Sequence, residues 1–418
     1  MINDLSLKAV AGSSFGTDGC KPLYGSYCFS QIPSTIARLL TGKGKGLPID
    51  CTLEGRYDSV ILLLIDGFGW QFLEKNIDRY PFLQRFLKEG IISKITSQFP
   101  STTAAHVTCL NTGLEVGQSG VYEWFYYEPI LDQMISPLLF SFAGDKEIGT
   151  LKKMGASPQD IYPNATFYQG LKQEGISSYV FQNEHIATSP YSSVLFQGSE
   201  NCPYADFGAG LSSLAEATSK GGYFYLYFGD IDSKAHRHGL ESDEVRRSAD
   251  FCFQTLESVF LKKLSKNGKK TALMVAADHG MTSIDPLTTF YLNEKIPHLS
   301  SYICKNKAGQ LLVPAGSCRD FFMHVEKEKT EECKALLTES LKGIASVYET
   351  EELIEAGLFG KAPPSKRFLD RVGNLVILPF QSQSVWWYQR RRFEQKFYAM
   401  HGGLSREEME SIFLFLEL

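Results

Sequence analysis

Three stretches of this chain are apolar without alternation, and each runs into an acidic residue. They are "SVILLLI" at 59 to 65, followed by Asp66, then "GGYFYLYFGDID" at 221 to 232 and "TALMVAADHGM" at 271 to 281. A strand with one wet face alternates polar and apolar residues, whereas an unbroken apolar run of strand length needs cover on both faces. Helical patterns lie between these runs. "WQFLEKNIDRYPFLQRFLKEG" and "SADFCFQTLESVFLKKLSKNG" each close on a glycine, and "TFYQGLKQEGI" leads into the strand-like "SSYVF". Strands alternating with helices predict an α/β fold with a mostly parallel central sheet flanked by helices. In such sheets the site lies beyond the carboxyl ends of the strands, where the three acidic segments fall.

The 418 residues allow one elaborate domain or two ordinary ones. Residues 1–57, rich in Gly, Ser and Lys around "TGKGKGLP", read as an irregular arm. The core is expected over 58–285 and again over 371–418, where "RVGNLVILPF" restores core-like sequence. Between them, 286–370 reads as an inserted smaller α+β lobe. In it, "CRDFFMHVEKEKTEECKALLTESLKGIASVYETEELIEAGLFG" gives strand, helix, turn, helix.

A net charge of -5 excludes a general nucleic-acid polymer binder, which needs a cationic excess, and Arg390, Arg391 and Arg392 read as a solvated face. The longest strongly apolar run, "VILLLI", is about a third of the ~20 residues that span a bilayer, so no membrane partner is expected. Nine scattered cysteines, with no CxxC pair, read as reduced thiols. With no basic-then-apolar leader at the start, these features predict a cytoplasmic protein.

The acids and histidines at the strand ends are Asp66, then Asp232 and His236 in "DSKAH", then Asp278 and His279 in "ADHG"; His401 stands in "MHGGL". Any one of these reads as a turn or a satisfied core residue. Together they make a ligand set suited to Zn²⁺ or Mn²⁺ rather than to a thiolate-loving ion. Asp232 and His236 are four apart and can face one ion from one helical turn. "SQFPSTTAAHVTCLNTG" (97–113) adds three hydroxyls after Pro100. One reading is helix capping by Ser or Thr. The other is a nucleophile, since a helix N-terminus favours an anion and a metal ion lowers a bound oxygen's pKa.

In this order, these motifs resemble the alkaline phosphatase superfamily and, within it, the nucleotide pyrophosphatase/phosphodiesterase family, from about residue 58 to the end. The resemblance implies an alkaline phosphatase-like core and a Thr nucleophile three residues after a Pro and nine before the Thr of "TG". Both spacings select Thr103 over Ser101 and Thr102. It implies two divalent ions, Zn²⁺ or Mn²⁺, one held by Asp66, Thr103, Asp278 and His279 and the other by Asp232, His236 and His401. It implies hydrolysis of a small phosphodiester or pyrophosphate through a phosphothreonine intermediate. Alternatives within the superfamily are a phosphonate hydrolase or phosphomonoesterase; outside catalysis, the alternative is a binder of phosphoryl ligands.

The chain departs from the family pattern at three places. His106 stands where an Asn commonly helps hold the phosphoryl oxygens, and is expected either to bind substrate or to pack on the helix. Val116 and Ser119 replace Pro and His, and Ala235 replaces Gly. The aromatic "VYEWFYYEP" (121–129) is open to two readings, packing or stacking against part of the substrate.

Overall fold

The computed structural model describes residues 1–264 and 269–418. Two sheets organise the chain. In order, their strands are β1 Ser59–Ile65, β2 Ile91–Thr96, β3 Ser178–Asn183, β4 Glu200–Tyr204, β5 Gly222–Phe228, β6 Thr271–Ala276, β7 Ala315–Gly316, β8 Phe321–Met323, β9 Ala345–Glu349, β10 Leu375–Pro379 and β11 Glu410–Glu417. The central sheet has the order β2-β11-β6-β1-β5-β3-β4. β11 is antiparallel to both its neighbours, and the pairs β6–β1, β1–β5, β5–β3 and β3–β4 are parallel. The mostly parallel sheet expected from the three unbroken apolar runs is present.

Those runs are apolar because both faces are covered. Along β1, Val60, Leu62 and Leu64 enter one core layer while Ile61, Leu63 and Ile65 enter the other. β6 divides likewise, with Met274 and Ala276 on one side and Leu273 and Val275 on the other. Each such Leu, Ile or Val gains about 1.5–3 kcal/mol from burial, so the three central strands form a rigid base for the turns that follow them.

Several local expectations are corrected. Residues 1–57 are no loose arm. Asn3 caps the helix Asp4–Ala11, Ile2 bridges to Ile92 of β2, and the helix Ile32–Thr41 buries Ile32, Ile36, Leu39 and Leu40. Its helical spacing is short and set among glycines, which hides it in the sequence. Pro81 divides the first expected helix into Trp70–Asn76 and Pro81–Glu89. The helix read from "SADFCFQTLESVFLKKLSKNG" runs through Asp243–Thr255 and a π-turn to Lys263, and its expected stop, Gly268, lies outside the described residues.

The smaller sheet has the order β7-β8-β10-β9. β9 takes the place of the expected turn. β10, given to the core by its sequence, pairs with β8 and β9 instead. Its residues are apolar throughout because Val376 and Leu378 join the large core while Leu375 and Ile377 face the lobe's own core. Composition alone does not distinguish such a strand from one in the central sheet, so the lobe's sheet continues past residue 370.

Candidate metal and nucleophile site

The three central strands β1, β5 and β6 deliver the acids that follow them to one place. Asp66 follows β1, Asp278 and His279 follow β6, and the helix Asp230–His238 follows β5 with Asp232 and His236 on one turn. Gly67 permits this convergence: its φ is 70°, and a Cβ there would lie 3.2 Å from the Cβ of Asp232. Thr103 is the first residue of the helix Thr103–Thr112. Thr102 is its cap, accepting from Ala105 N and donating to Tyr122 O at 2.9 Å. The capping reading and the nucleophile reading thus fall on different hydroxyls.

Thr103 Oγ1 lies 3.3 Å from Asp66 Oδ2 and 3.2 Å from His279 Nε2. His279 Nε2 is 3.4 Å from Asp66 Oδ1 and 3.3 Å from Asp278 Oδ2. On the other side, His236 Nε2 is 3.3 Å from Asp232 Oδ2, and His401 Nε2 is 3.7 Å from Asp232 Oδ1. The rings of His279 and His401 stack at 3.6 Å and join the two halves. Ligand atoms of Asp66, Asp278 and His279 lie within 4.8 Å of one another, as do those of Asp232, His279 and His401. The second tight group therefore contains His279 where the sequence suggested His236, which adjoins it through Asp232.

The three histidines share one orientation. Nδ1 donates to a backbone carbonyl in each: Gly280 O at 3.0 Å for His279, Ala399 O at 2.7 Å for His236 and Ser101 O at 2.9 Å for His401. That directs each Nε2 inward; for His279 and His401, which stay neutral, it carries the lone pair that binds a metal ion, whereas the Asp232 carboxylate raises the pKa of His236 against the effect of burial. Asp232 Oδ1 and Asp278 Oδ2 are buried without a hydrogen-bond donor. Oxygens of this kind are costly to bury unless a cation meets them.

The electrostatics agree. Burial, then the charges of Asp278 and Asp232, raise Asp66 well above the carboxylate range; burial and Asp232 push Asp278 up to about 7. For Asp232 burial acts in the same sense, but His236 and then His401 outweigh it and the pKa is lowered. His279 and His401 are held far below the usual imidazole range, chiefly by burial, and so stay neutral. Two neutral imidazoles among three buried carboxylates lack positive charge, and divalent ions would supply it.

His106 sets its ring edge-on to that of His279, with centroids 6.4 Å apart, but its nitrogens are bonded elsewhere. It is fully buried, its Nδ1 donates to Thr102 O at 2.7 Å, and its Nε2 accepts from Gln98 N at 2.8 Å with Ser97 Oγ at 3.0 Å. Both nitrogens are occupied by the nucleophile turn, which corrects the substrate-binding expectation. Tyr122 and Tyr126 stack on each other in the core, so most of the "VYEWFYYEP" stretch packs, while Trp124 is 41% exposed. Sequence reasoning missed Tyr227, whose hydroxyl donates to Asp66 Oδ2. The alternation Tyr223, Tyr225, Tyr227 along β5 is the signal that places these hydroxyls on one face.

Residues 60–403 match the family model described as type I phosphodiesterase / nucleotide pyrophosphatase. The chain is 24% identical over 260 residues to human ectonucleotide pyrophosphatase/phosphodiesterase family member 7, covering 59% of this chain and 52% of the relative. It is 22% identical over 262 residues to family member 3 of Rattus norvegicus, covering 60% of this chain and 28% of that one. It thus spans about half the relative's length or less. Among solved structures it resembles human ectonucleotide pyrophosphatase/phosphodiesterase 5, with TM-score 0.63, 18% identity and 85% and 87% of the two chains covered. It also resembles phosphonoacetate hydrolase from Sinorhizobium meliloti 1021, with TM-score 0.59, 18% identity and coverage of 86% and 91%. No helix among the described residues is long and apolar enough to cross a membrane.

Proposed function

Because the chain belongs to the type I phosphodiesterase / nucleotide pyrophosphatase family, we propose that it hydrolyses a small phosphodiester or pyrophosphate with Thr103 as nucleophile and two divalent ions as cofactors. The observation that carries this reading is the placing of Thr103 Oγ1 at a helix N-terminus, between Asp66 Oδ2 and His279 Nε2. Asp66, Asp278, His279 and Thr103 would hold one ion, and Asp232, His236 and His401 the other. The inward Nε2 atoms and the donorless oxygens of Asp232 and Asp278 support that fit. Zinc suits such nitrogen and oxygen donors, with manganese the other candidate, and the ions would supply the positive charge that ionises a hydroxyl near neutral pH and neutralises phosphoryl oxygens.

The chain's own contribution is position. The helix N-terminus presents Thr103 and free N–H groups to an anionic phosphoryl group. Asp66 Oδ2, 3.3 Å away, would orient the Thr103 hydroxyl, and the proton that the hydroxyl gives up passes to solvent and is regained by the departing oxygen, leaving an Oγ lone pair for phosphorus. A Thr103 Oγ–P bond forms as the bond from phosphorus to the leaving oxygen breaks. Water then cleaves the phosphothreonine and restores the hydroxyl, so one water is consumed per turnover. The substrate is a small molecule rather than a nucleic-acid polymer, in keeping with the net charge of -5.

The test compares the p-nitrophenyl ester of thymidine 5′-monophosphate, p-nitrophenyl phosphate and phosphonoacetate, each with and without chelator and added Zn²⁺ or Mn²⁺. The expected result is chelator-sensitive turnover favouring the diester. Preference for the monoester or the phosphonate would reassign the bond cleaved. No metal-dependent turnover of any of the three would leave a binding protein.

A further inference from the structure

His401 stands at the start of an irregular loop, His401–Leu404, that contains two glycines. On its own such a loop is a poor platform for a ligand, because glycine has more conformational freedom to lose than any other residue. Here it is gripped from two sides by side chains that belong to neither ligand set.

One grip is Ser101, fully buried and two residues before Thr103. Its N donates to Gly402 O at 3.2 Å, its Oγ donates to Gly403 O at 2.8 Å and accepts from Gly402 N at 3.0 Å, and its O accepts from His401 Nδ1 at 2.9 Å. A single residue of the nucleophile turn is thus bonded to three consecutive residues of the His401 loop.

The other grip comes from the smaller lobe, at the turn Ser317–Asp320. Ser317 Oγ lies 3.3 Å from His401 O. Gly402 has φ 125°, and a Cβ there would be 2.7 Å from both Ser317 Oγ and Asp320 Oδ1. Arg319 donates from Nε and Nη2 to the Glu408 carboxylate at 3.0 and 2.8 Å, with both side chains fully buried. Glu408 in turn accepts from Gly403 N at 3.0 Å and Ser405 N at 3.3 Å. The lobe therefore reaches the site through the backbone of the loop that carries His401.

We propose that Ser101 and the Ser317–Asp320 turn form a positioning clamp for His401. The clamp sets the distance between the nucleophile and the second metal's ligands, and makes the smaller lobe a structural part of that metal site. The inference rests on the proposed two-metal function and gives a role to a serine and a lobe that otherwise touch no reacting atom. Partners of a ligating histidine typically govern metal affinity by about 10–100-fold, and a misplacement of about 1 Å at such a site costs about a hundredfold in rate.

The experiment uses the full chain with Ser101→Ala, Ser317→Ala and, as a reference for loss of the second ion, His401→Ala. Zinc content, the two zinc dissociation constants from competition with a chromophoric chelator, and kcat and KM on the nitrophenyl diester are measured for each. Ser101→Ala and Ser317→Ala both keep the Ser101 O bond to His401 Nδ1 and release only the loop backbone. They should therefore keep one ion at wild-type affinity and bind the other up to about tenfold more weakly, the low end of what loss of such support costs. Their kcat should fall at limiting zinc and recover with excess zinc, with KM little changed. Wild-type affinity for both ions in both variants would overturn the clamp, as would equal weakening of the two ions, which marks general loosening. Should Ser101→Ala fail to fold, the decision passes to Ser317→Ala on the opposite side of the loop. A wild-type protein that binds no divalent ion refutes the proposed function instead, and does so before any variant is made.

Discussion

Replacing His106 with leucine separates a structural histidine from a substrate-binding one. Leucine suits a site that is fully buried and edge-on to Phe29 at 4.7 Å, but it accepts no hydrogen bond from Gln98 N. An orphaned buried donor costs about 1–3 kcal/mol, so His106→Leu should lose about that much stability at pH 7.5. Burial lowers the His106 pKa from 6.5 to about 4. A depressed histidine pKa means that the unfolded chain binds the proton more tightly, so the contribution is whole above pH 6.5 and is lost as pH falls towards 4. By pH 4.5 the wild type should forfeit about 2.5 kcal/mol through this group, a loss the leucine variant does not suffer. The stability gap between them, from guanidinium titrations of chelator-treated proteins, should therefore close between pH 7.5 and 4.5. KM for the nitrophenyl diester should stay near wild type. A gap that does not depend on pH would refute the argument. So would unchanged stability with a KM raised tenfold, which would return His106 to the substrate.

Thr103→Ala should cut turnover by about a thousandfold or more while elemental analysis still finds both ions; retained activity would move the nucleophile to another group. Tyr227→Phe removes the donor to Asp66 and should weaken zinc binding about 10–100-fold, read by chelator competition. Arg319→Met leaves the fully buried Glu408 carboxylate without its partner and should cost about 3–5 kcal/mol, visible as a fall in the thermal midpoint.

Local chemistry made much of this molecule readable in advance. The runs before Asp66, Asp232 and Asp278 declare strands covered on both faces, and a fold that lines up such strands brings their ends together whatever the details of packing. The helix start at Thr103 is equally local, as the roles of Thr102 and Thr103 show. What could not be read depends on partners distant in sequence. β10 is as apolar as β1, and only its pairing with β8 and β9 shows which sheet owns it. His106 sits three residues from Thr103, yet its direction is set by Ser97 and Gln98 on the chain entering the turn. Tyr227 and Asp66 are 161 residues apart, and no spacing rule foretells their hydrogen bond.

The antiparallel strand β11 of the central sheet also bears on how the protein is made. β11 lies between β2 and β6, so β2 has no other strand beside it in the central sheet, only the single bridges from Ile2 and Cys28 on its outer edge, although it is complete once residue 96 has been synthesised. During translation β2 and the flank of β6 therefore remain open edges until the ribosome has passed residue 417. Nascent chains stalled before residue 410 would present two unpaired apolar strand edges, the form of intermediate that chaperones hold and that associates with its own copies.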